Sequence, residues 1–508
     1  MKFQDINRHP LTQNPKARFT VILLLALIAR LLGIASRPIW YDEAFAILFS
    51  AKGPSAMLYG TLAPAGVGSS DIHPLGYYIL LWAWMKIFGE TLVAVRAFSI
   101  LAGLITVILV YRIACAYFDI ETAQLSMLFA ALAPFQIHYA QEIRMYSLMA
   151  MWLLLATYAY QRGTGTGQAR WWFVFSIASA FAQYTHNLSA FYLIVLASLP
   201  LFKKDWKNLR AVTTAGIFAI LLYLPWLIQL PSQFATIQQG YWVERPDVAD
   251  LFTLLIVFTT NTPLPATWIP LALLIALFTV AIGIKQTAPF LLQTRQHKGW
   301  QVFYLSFAPP LLLFLFSQWR PVYIERALLP SGAIFCIWLA WVLRNTPLSA
   351  TIRNFLLSGL IIASAMGIHQ HLLYRDFPYG PFQAIAVSLQ ERRTAQDVIL
   401  HSNKLTMLPT LYFDRQLPQT FIGDPPGSGA DTLAPATQEV LGIAEERDLL
   451  SAIAGAERIW YIIYTRAIEE YQARGKTTHP DLEFLLSNYR LISKEQWDGI
   501  EIYLFTKP

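Results

Sequence analysis

Apolar runs close to the length of a bilayer crossing recur along the first three quarters of the chain. Spanning a membrane core takes about 20 residues of helix. Runs at 19–35, 96–118, 122–138, 143–160, 171–184, 188–201, 211–230, 264–284, 300–317, 324–343 and 354–372 predict eleven transmembrane helices. A further apolar segment, 75–89, is short for a crossing and suits an interfacial or re-entrant helix. After residue 374 the pattern changes. Segments 397–402 and 458–464 read as short buried strands, 500–505 alternates like a half-exposed strand, and 425–429 (Pro-Pro-Gly-Ser-Gly) reads as a loop. The pattern predicts a polytopic α-helical membrane domain, 1–374, followed by a small soluble α/β domain, 375–508. No internal repeat is evident, which disfavours inverted-repeat transporters.

Composition sharpens this. Of 508 residues, 56% are hydrophobic and 14% charged, where a soluble chain carries about a quarter charged. The net charge of +7 is uneven: residues 1–374 hold 25 Lys and Arg against 13 Asp and Glu, and residues 375–508 hold 13 against 18. Nothing points to nucleic acid as a partner. Cys115 and Cys336 both fall inside apolar runs, so neither a disulfide framework nor a zinc site is indicated. The first apolar run is long for a signal peptide core and lacks a small-x-small cleavage site, which argues for an anchor.

Short loops rich in Lys and Arg mark the cytoplasmic side. Clusters at Lys2/Arg8/Lys16/Arg18, Arg162/Arg170, Lys203/Lys204/Lys207/Arg210, Lys285/Arg295/Lys298 and Arg344/Arg353, placed inside, put the N-terminus in the cytoplasm and the C-terminal domain outside. One consequence is chemical. The outer helix ends then collect Asp42, Glu43, Asp71, His73, Arg96, His138, Glu142, Arg144, His186, Glu244, Arg245, Asp247, Arg320, Glu325 and Arg326. A charge at the bilayer centre costs ~2.5–3.5 kcal/mol, and less toward the interface. So many at one membrane edge call for a function or a pairing scheme.

The constellations divide as follows. Arg37-Pro-Ile-Trp-Tyr-Asp-Glu-Ala-Phe places Asp42 and Glu43 at the start of an amphipathic stretch, 44–58. Plain helix-dipole preference explains acids there. The functional reading is a general base beside Trp40 and Tyr41, which can stack on a sugar ring. His73-Pro-Leu-Gly-Tyr-Tyr is by itself an ordinary helix start; placed near Asp42, His73 is a candidate ligand for a metal or a sugar hydroxyl. In His138-Tyr-Ala-Gln-Glu-Ile-Arg-Met-Tyr-Ser, Glu142 and Tyr146 are spaced to share a helix face. A Glu142–Arg144 surface pair is the bland account; a second acid and a phosphate contact are the functional one. His186 alone is weak, as interfacial histidines are commonly structural. Arg326, beside Glu325, enters an apolar span where a guanidinium can grip a phosphate bidentately.

These motifs, with Phe88-Gly and Arg96 following and Arg326-Ala-Leu-Leu-Pro later, resemble the bacterial protein-O-mannosyltransferase-like membrane glycosyltransferases. That group is similar to protein O-mannosyltransferases and lipid A aminoarabinose transferases, all of the GT-C fold. The resemblance covers roughly residues 20–190. It implies a bacterial plasma-membrane enzyme moving a hexose or pentose from a polyprenyl-phosphate carrier to an acceptor hydroxyl on the non-cytoplasmic face. The acceptor class is a glycolipid, polysaccharide or protein, and the reaction an inverting single displacement. The family's first-loop aspartate falls on Asp42 and its second acidic position on Glu142. Arg326, Arg144 and Arg96 become donor-phosphate contacts; Glu43, His73, Tyr41, Tyr146 and His186 position sugar or acceptor. A divalent ion is the one cofactor in view, with Asp42, His73 and Glu142 as candidate ligands. Leu75 and Ala327 depart from the family pattern, which has a second proline and an aromatic there, and bear on substrate identity. The rival reading is a lipid flippase or sugar transporter, which calls for polar residues at the bilayer midplane and broken helices.

Overall fold

A computed structural model describes residues 14–63, 73–231, 243–259, 264–293, 298–373, 377–424 and 433–508. Lys2, Arg8, Asp71, Arg295 and the loop 425–429 lie outside them. The chain separates into two compact units. One comprises Met1–Ile34, Leu92–Leu230 and Val243–Leu372; the other comprises Ala35–Thr91, Pro231–Trp242 and Leu373–Pro508.

The first unit is helical. Each expected span falls on helix, with 122–138 divided between Ile120–Leu132 and Pro134–Gln141, and among the described residues six helical segments are long and apolar enough to cross a membrane: Leu92–Tyr117, Trp206–Leu227, Ala266–Pro289, Lys298–Ser317, Glu325–Asn345 and Ala350–Leu373. Leu92–Tyr117, at 26 residues, is about 39 Å long, enough for a core about 30 Å thick. The helix Leu329–Asn345 is buried almost throughout, and its uniformly apolar surface suits the centre of a bundle. Packing there needs a small neighbour: a Cβ on Gly283 would come within 2.3 Å of the Trp338 ring. At the periphery the helices expose Ile217, Leu221, Leu274, Phe278, Phe355 and Ile362, an apolar surface suited to lipid rather than water. The protein is an integral membrane protein. A helix at Val248–Thr259 had not been expected as a separate element.

The second unit is built on a six-stranded sheet: β1 Asp397–His401, β2 Gln419–Ile422, β3 Glu445–Glu446, β4 Arg458–Tyr464, β5 Arg490–Trp497 and β6 Ile500–Thr506. The order is β3-β2-β1-β4-β6-β5. The first four strands are parallel, and β6 pairs antiparallel with both β4 and β5. Asp498 and Gly499 form the two-residue β5–β6 hairpin loop, with Asp498 at φ 54, as Asp-Gly hairpins favour. Phe382, Ile385 and Leu389 cover one sheet face, with Trp460 and Ile462 beneath. Ile468, Leu482 and Leu485 cover the other, over Tyr461 and Ile463.

The expected strands at β1, β4 and β6 are present. Strand β6 is not half-exposed, however. It lies between β4 and β5 with nearly every side chain buried. Its polar position, Glu501, tolerates burial by accepting from the Tyr503 hydroxyl and from Lys494 Nζ at 2.9 Å.

Residues 35–91 pack with this sheet. They form helices Tyr41–Ala51, Pro54–Leu62 and Gly76–Phe88. The stretch expected to run from 44 to 58 therefore breaks, at Gly53, whose φ is +88. At 13 residues, the helix Gly76–Phe88 is about 20 Å long, well short of a membrane core. Polar contacts fasten the segment: Tyr59 Oη donates to Glu439 (2.8 Å), Thr437 Oγ1 to the Gly60 carbonyl (2.9 Å), and Arg415 pairs with Glu90 at 2.6 Å.

Candidate functional site

In the helical unit the site begins with a break. Pro134 has no N–H, so the Ala130 carbonyl at the end of helix Ile120–Leu132 has no intrahelical donor. Arg30, fully buried, supplies it: Nη2 donates to Ala130 O at 3.2 Å and Nη1 to Ala131 O at 3.0 Å. A new helix, Pro134–Gln141, then starts in another direction. At its end Gln141 Nε2 donates to Arg30 O (3.0 Å) and Leu32 O (2.6 Å), closing the C-terminal turn of helix Pro15–Leu31. Gly103 lets the helices meet, since a Cβ there would lie 2.8 Å from Ala140 Cβ. Gln136 Nε2, donating to Leu329 O at 2.9 Å, ties the same short helix to the start of Leu329–Asn345.

This scaffold holds Glu142, Arg144, Tyr146 and His186, all buried. The Arg326 guanidinium carbon stands 5.2 Å from the centroid of the Tyr146 ring. His186 lies against the same ring, centroids 5.6 Å apart, and Tyr139 meets it edge-on at 5.6 Å. His186 Nδ1 accepts from Leu188 N–H at 3.1 Å, so the neutral ring carries its proton on Nε2 and presents a donor. Glu142 and Tyr146 do not share a helix face as their spacing suggested. Glu142 is extended (φ −86, ψ 137), and the helix starts only at Tyr146. Ser147 Oγ, donating to Tyr139 O at 2.8 Å, folds the intervening turn. Arg96, also fully buried, donates from Nη1 to the Ile34 carbonyl at 2.7 Å.

In the other unit, Asp42 and Glu43 occupy the first turn of helix Tyr41–Ala51, favoured there by the helix dipole. Asp42 is half-buried and Glu43 fully so. Before them, Arg37 Nη2 donates to Tyr379 Oη at 3.4 Å, and the Trp40 ring meets Tyr379 at 6.4 Å. Lys404 Nζ stands 5.7 Å from the Tyr41 ring centroid. His73 precedes helix Gly76–Phe88, whose Tyr78 packs edge-on against Phe45 and Phe49 of the Asp42 helix. Among the described residues no three His, Cys, Asp or Glu side chains are grouped to hold a metal ion. Sequence reasoning did not single out Arg30, Tyr139 and Lys404, or the capping role of Gln141. Only Arg30 carried a signal, a charge inside the first apolar run.

Comparison with known proteins agrees with this architecture. Residues 72–228 match the family model of dolichyl-phosphate-mannose-protein mannosyltransferases. An undecaprenyl phosphate-alpha-4-amino-4-deoxy-L-arabinose arabinosyl transferase from Pseudomonas paraeruginosa is 24% identical over 245 residues, 45% of this chain and 42% of that protein. Its counterpart from Pseudomonas aeruginosa is 27% identical over 182 residues, 33% and 32% respectively. The match thus spans less than half of the curated relatives. Whole-chain similarity comes from structure. ArnT from Cupriavidus metallidurans in the apo state superimposes with a TM-score of 0.64 at 13% identity, over 96% of this chain and 98% of that one. The same protein bound to undecaprenyl phosphate gives 0.63 at 12% identity, over 98% of each. The fold is GT-C-like. An oligosaccharyltransferase from Archaeoglobus fulgidus shares this GT-C architecture more distantly, with a TM-score of 0.54 at 11% identity over 95% of this chain and 73% of that one. The chain is related to the O-mannosyltransferases and aminoarabinose transferases, as its motifs led us to expect.

Proposed function

We propose that the protein is a membrane glycosyltransferase that moves a hexose or pentose from a polyprenyl-phosphate carrier to an acceptor hydroxyl on a glycolipid, polysaccharide or protein. The observation that carries this reading is Arg326 on the Tyr146 ring, with His186 against the same ring. A guanidinium next to the N-terminus of a long helix is well placed for a lipid phosphate. The aromatic face and the imidazole donor suit a sugar. The curated relatives, named for an undecaprenyl-phosphate-linked sugar, and the undecaprenyl-phosphate-bound ArnT structure support a carrier of that class.

Asp42 is the base in this reading. It takes the proton of the acceptor hydroxyl as that oxygen forms a bond to the anomeric carbon. The bond from that carbon to the phosphate oxygen breaks, its electron pair leaves with polyprenyl phosphate, and the configuration inverts. Arg326, with Arg144, stabilises the charge that develops on the phosphate. Glu142 and His186 orient the sugar, with Tyr41, Glu43 and His73 on the acceptor side. The distribution of Lys and Arg supports a cytoplasmic N-terminus and a C-terminal sheet domain outside, so that transfer occurs on the non-cytoplasmic face.

The test uses purified protein in detergent with undecaprenyl-phosphate sugars, scoring release of polyprenyl phosphate and labelled product. Asp42→Asn should lower turnover by roughly 10²–10⁴-fold, the usual worth of a general base, with the melting temperature unchanged. Near-normal transfer by Asp42→Asn would overturn the base. Movement of intact lipid-linked sugar across sealed vesicles, without release, would instead make the protein a transporter.

A further inference from the structure

The motif around Asp42 sits on the C-terminal sheet at a particular place. Strands β1 and β4 are parallel neighbours, but the chain leaves β1 toward β2 and β3 before returning to β4. That makes their boundary a topological switch point, and the carboxyl ends of strands at such a point open a crevice. Beyond β1, Ser402 N–H donates to Ile462 O of β4 at 2.9 Å. Asn403 then caps the next helix by accepting from Leu405 N–H at 3.0 Å. Lys404 becomes the first residue of helix Lys404–Phe413. It is only 6% exposed, and its ammonium faces the ring of Tyr41. From β4, Tyr464 Oη donates to Pro378 O at 2.9 Å, next to Tyr379, which receives Arg37 and Trp40. Three residues of one first-loop motif therefore touch the C-terminal domain.

Lys404 is an unfavourable choice for its own helix. A cation at a helix N-terminus opposes the dipole, and burial removes the water that an ammonium prefers. Outside that helix, its ammonium meets the π face of Tyr41. Tyr41 opens the Asp42 helix, so a force on its ring acts on the turn that aims the carboxylate. We propose that Lys404 is a positioning residue of the transfer site: by holding Tyr41 it fixes the first turn of helix Tyr41–Ala51 and the direction of Asp42. The inference rests on Asp42 as the base and gives the C-terminal domain a part in transfer.

The experiment compares full-length Lys404→Met, Lys404→Arg, Tyr41→Leu and the Lys404→Met/Tyr41→Leu double variant in detergent. Lys404→Met keeps the stem and removes the charge. It should lower kcat by roughly ten- to a hundredfold, as small misplacements at a reacting group do, with KM for the lipid donor within about twofold of normal. Amide exchange should quicken across 41–51 while β1 and β4 stay protected. Lys404→Arg should recover most of the rate, and the double variant should be no slower than the worse single. Unchanged kcat and exchange in Lys404→Met, additive losses in the double variant, or exchange quickening throughout the sheet would each overturn the proposal. Asp42→Asn separates the levels. If it is dead while Lys404→Met is normal, only this inference fails; if it is active, the base assignment fails, and the exchange arm still decides whether Lys404 holds the turn.

Discussion

Arg326 shows how much of this site depends on the shape of a single side chain. A guanidinium is planar: it can stack on Tyr146, and its fork of donors matches two phosphate oxygens at once. A lysine would keep the charge and lose both geometries. Arg326→Lys should therefore raise KM for the lipid donor about tenfold, equivalent to ~1.4 kcal/mol, with a smaller change in kcat, checked by initial rates over a donor series. The neighbouring Gln141 and Glu142 are adjacent and both polar, so the family's second acidic position falls on the pair. In the fold the Gln141 amide donates to two carbonyls at the end of the first helix, which a carboxylate cannot do, while Glu142 is buried just beyond the end of its own helix.

At the scale of elements, the proline break is the feature that orients the site. An apolar run at 122–138 is indistinguishable from one continuous helix by hydropathy. Pro134 divides it, and Arg30 stabilises the division by bonding carbonyls from another helix. Arg30→Met would preserve bulk and leave those buried acceptors without donors, at a cost of about 1–3 kcal/mol for each unsatisfied group. The expected outcome is a lower unfolding temperature in detergent together with slower transfer, since the 134–142 segment carries Glu142. A variant with the same stability and rate as the parent would show that Arg30 is dispensable. Similar logic explains 44–58: apolar periodicity continued through Gly53, but a positive φ there ends one helix before the next.

For the whole molecule, the two units answer to different solvents and so to different perturbations. The sheet unit has buried imidazoles. His401 lies against Thr406 Oγ1 and Gln419 Oε1, each at 2.9 Å, and burial pushes it down to about 3; burial likewise lowers His479 to about 4. Both folded values are below the unfolded one near 6.5, so stability is full above pH ~6.5 and falls as the unfolded chain takes up protons below it. Between pH ~6 and ~4.5 the slope should approach ~1.4 kcal/mol per pH unit for each imidazole. His401→Gln should flatten that limb, as read from urea unfolding of the full-length protein against pH.

The sequence by itself determined the helical spans, because a crossing must be apolar along its own length with its backbone bonded internally. It also determined β1 and β4, whose unbroken apolar runs leave little choice but a sheet covered on both faces. The motifs were legible for a related reason, since each is contiguous. Tertiary structure alone decided what those motifs rest on. Arg37 meets Tyr379, 342 positions away, and residues 35–91 join the C-terminal sheet. Strands β2 and β3 were missed because they are short, and β5 because it is polar and lies at a sheet edge; in each, neighbouring strands rather than their own side chains settle the conformation. Lys404 belongs to the same class: on paper it is an ordinary cation at a helix start, and only the fold buries it facing the ring of a distant tyrosine.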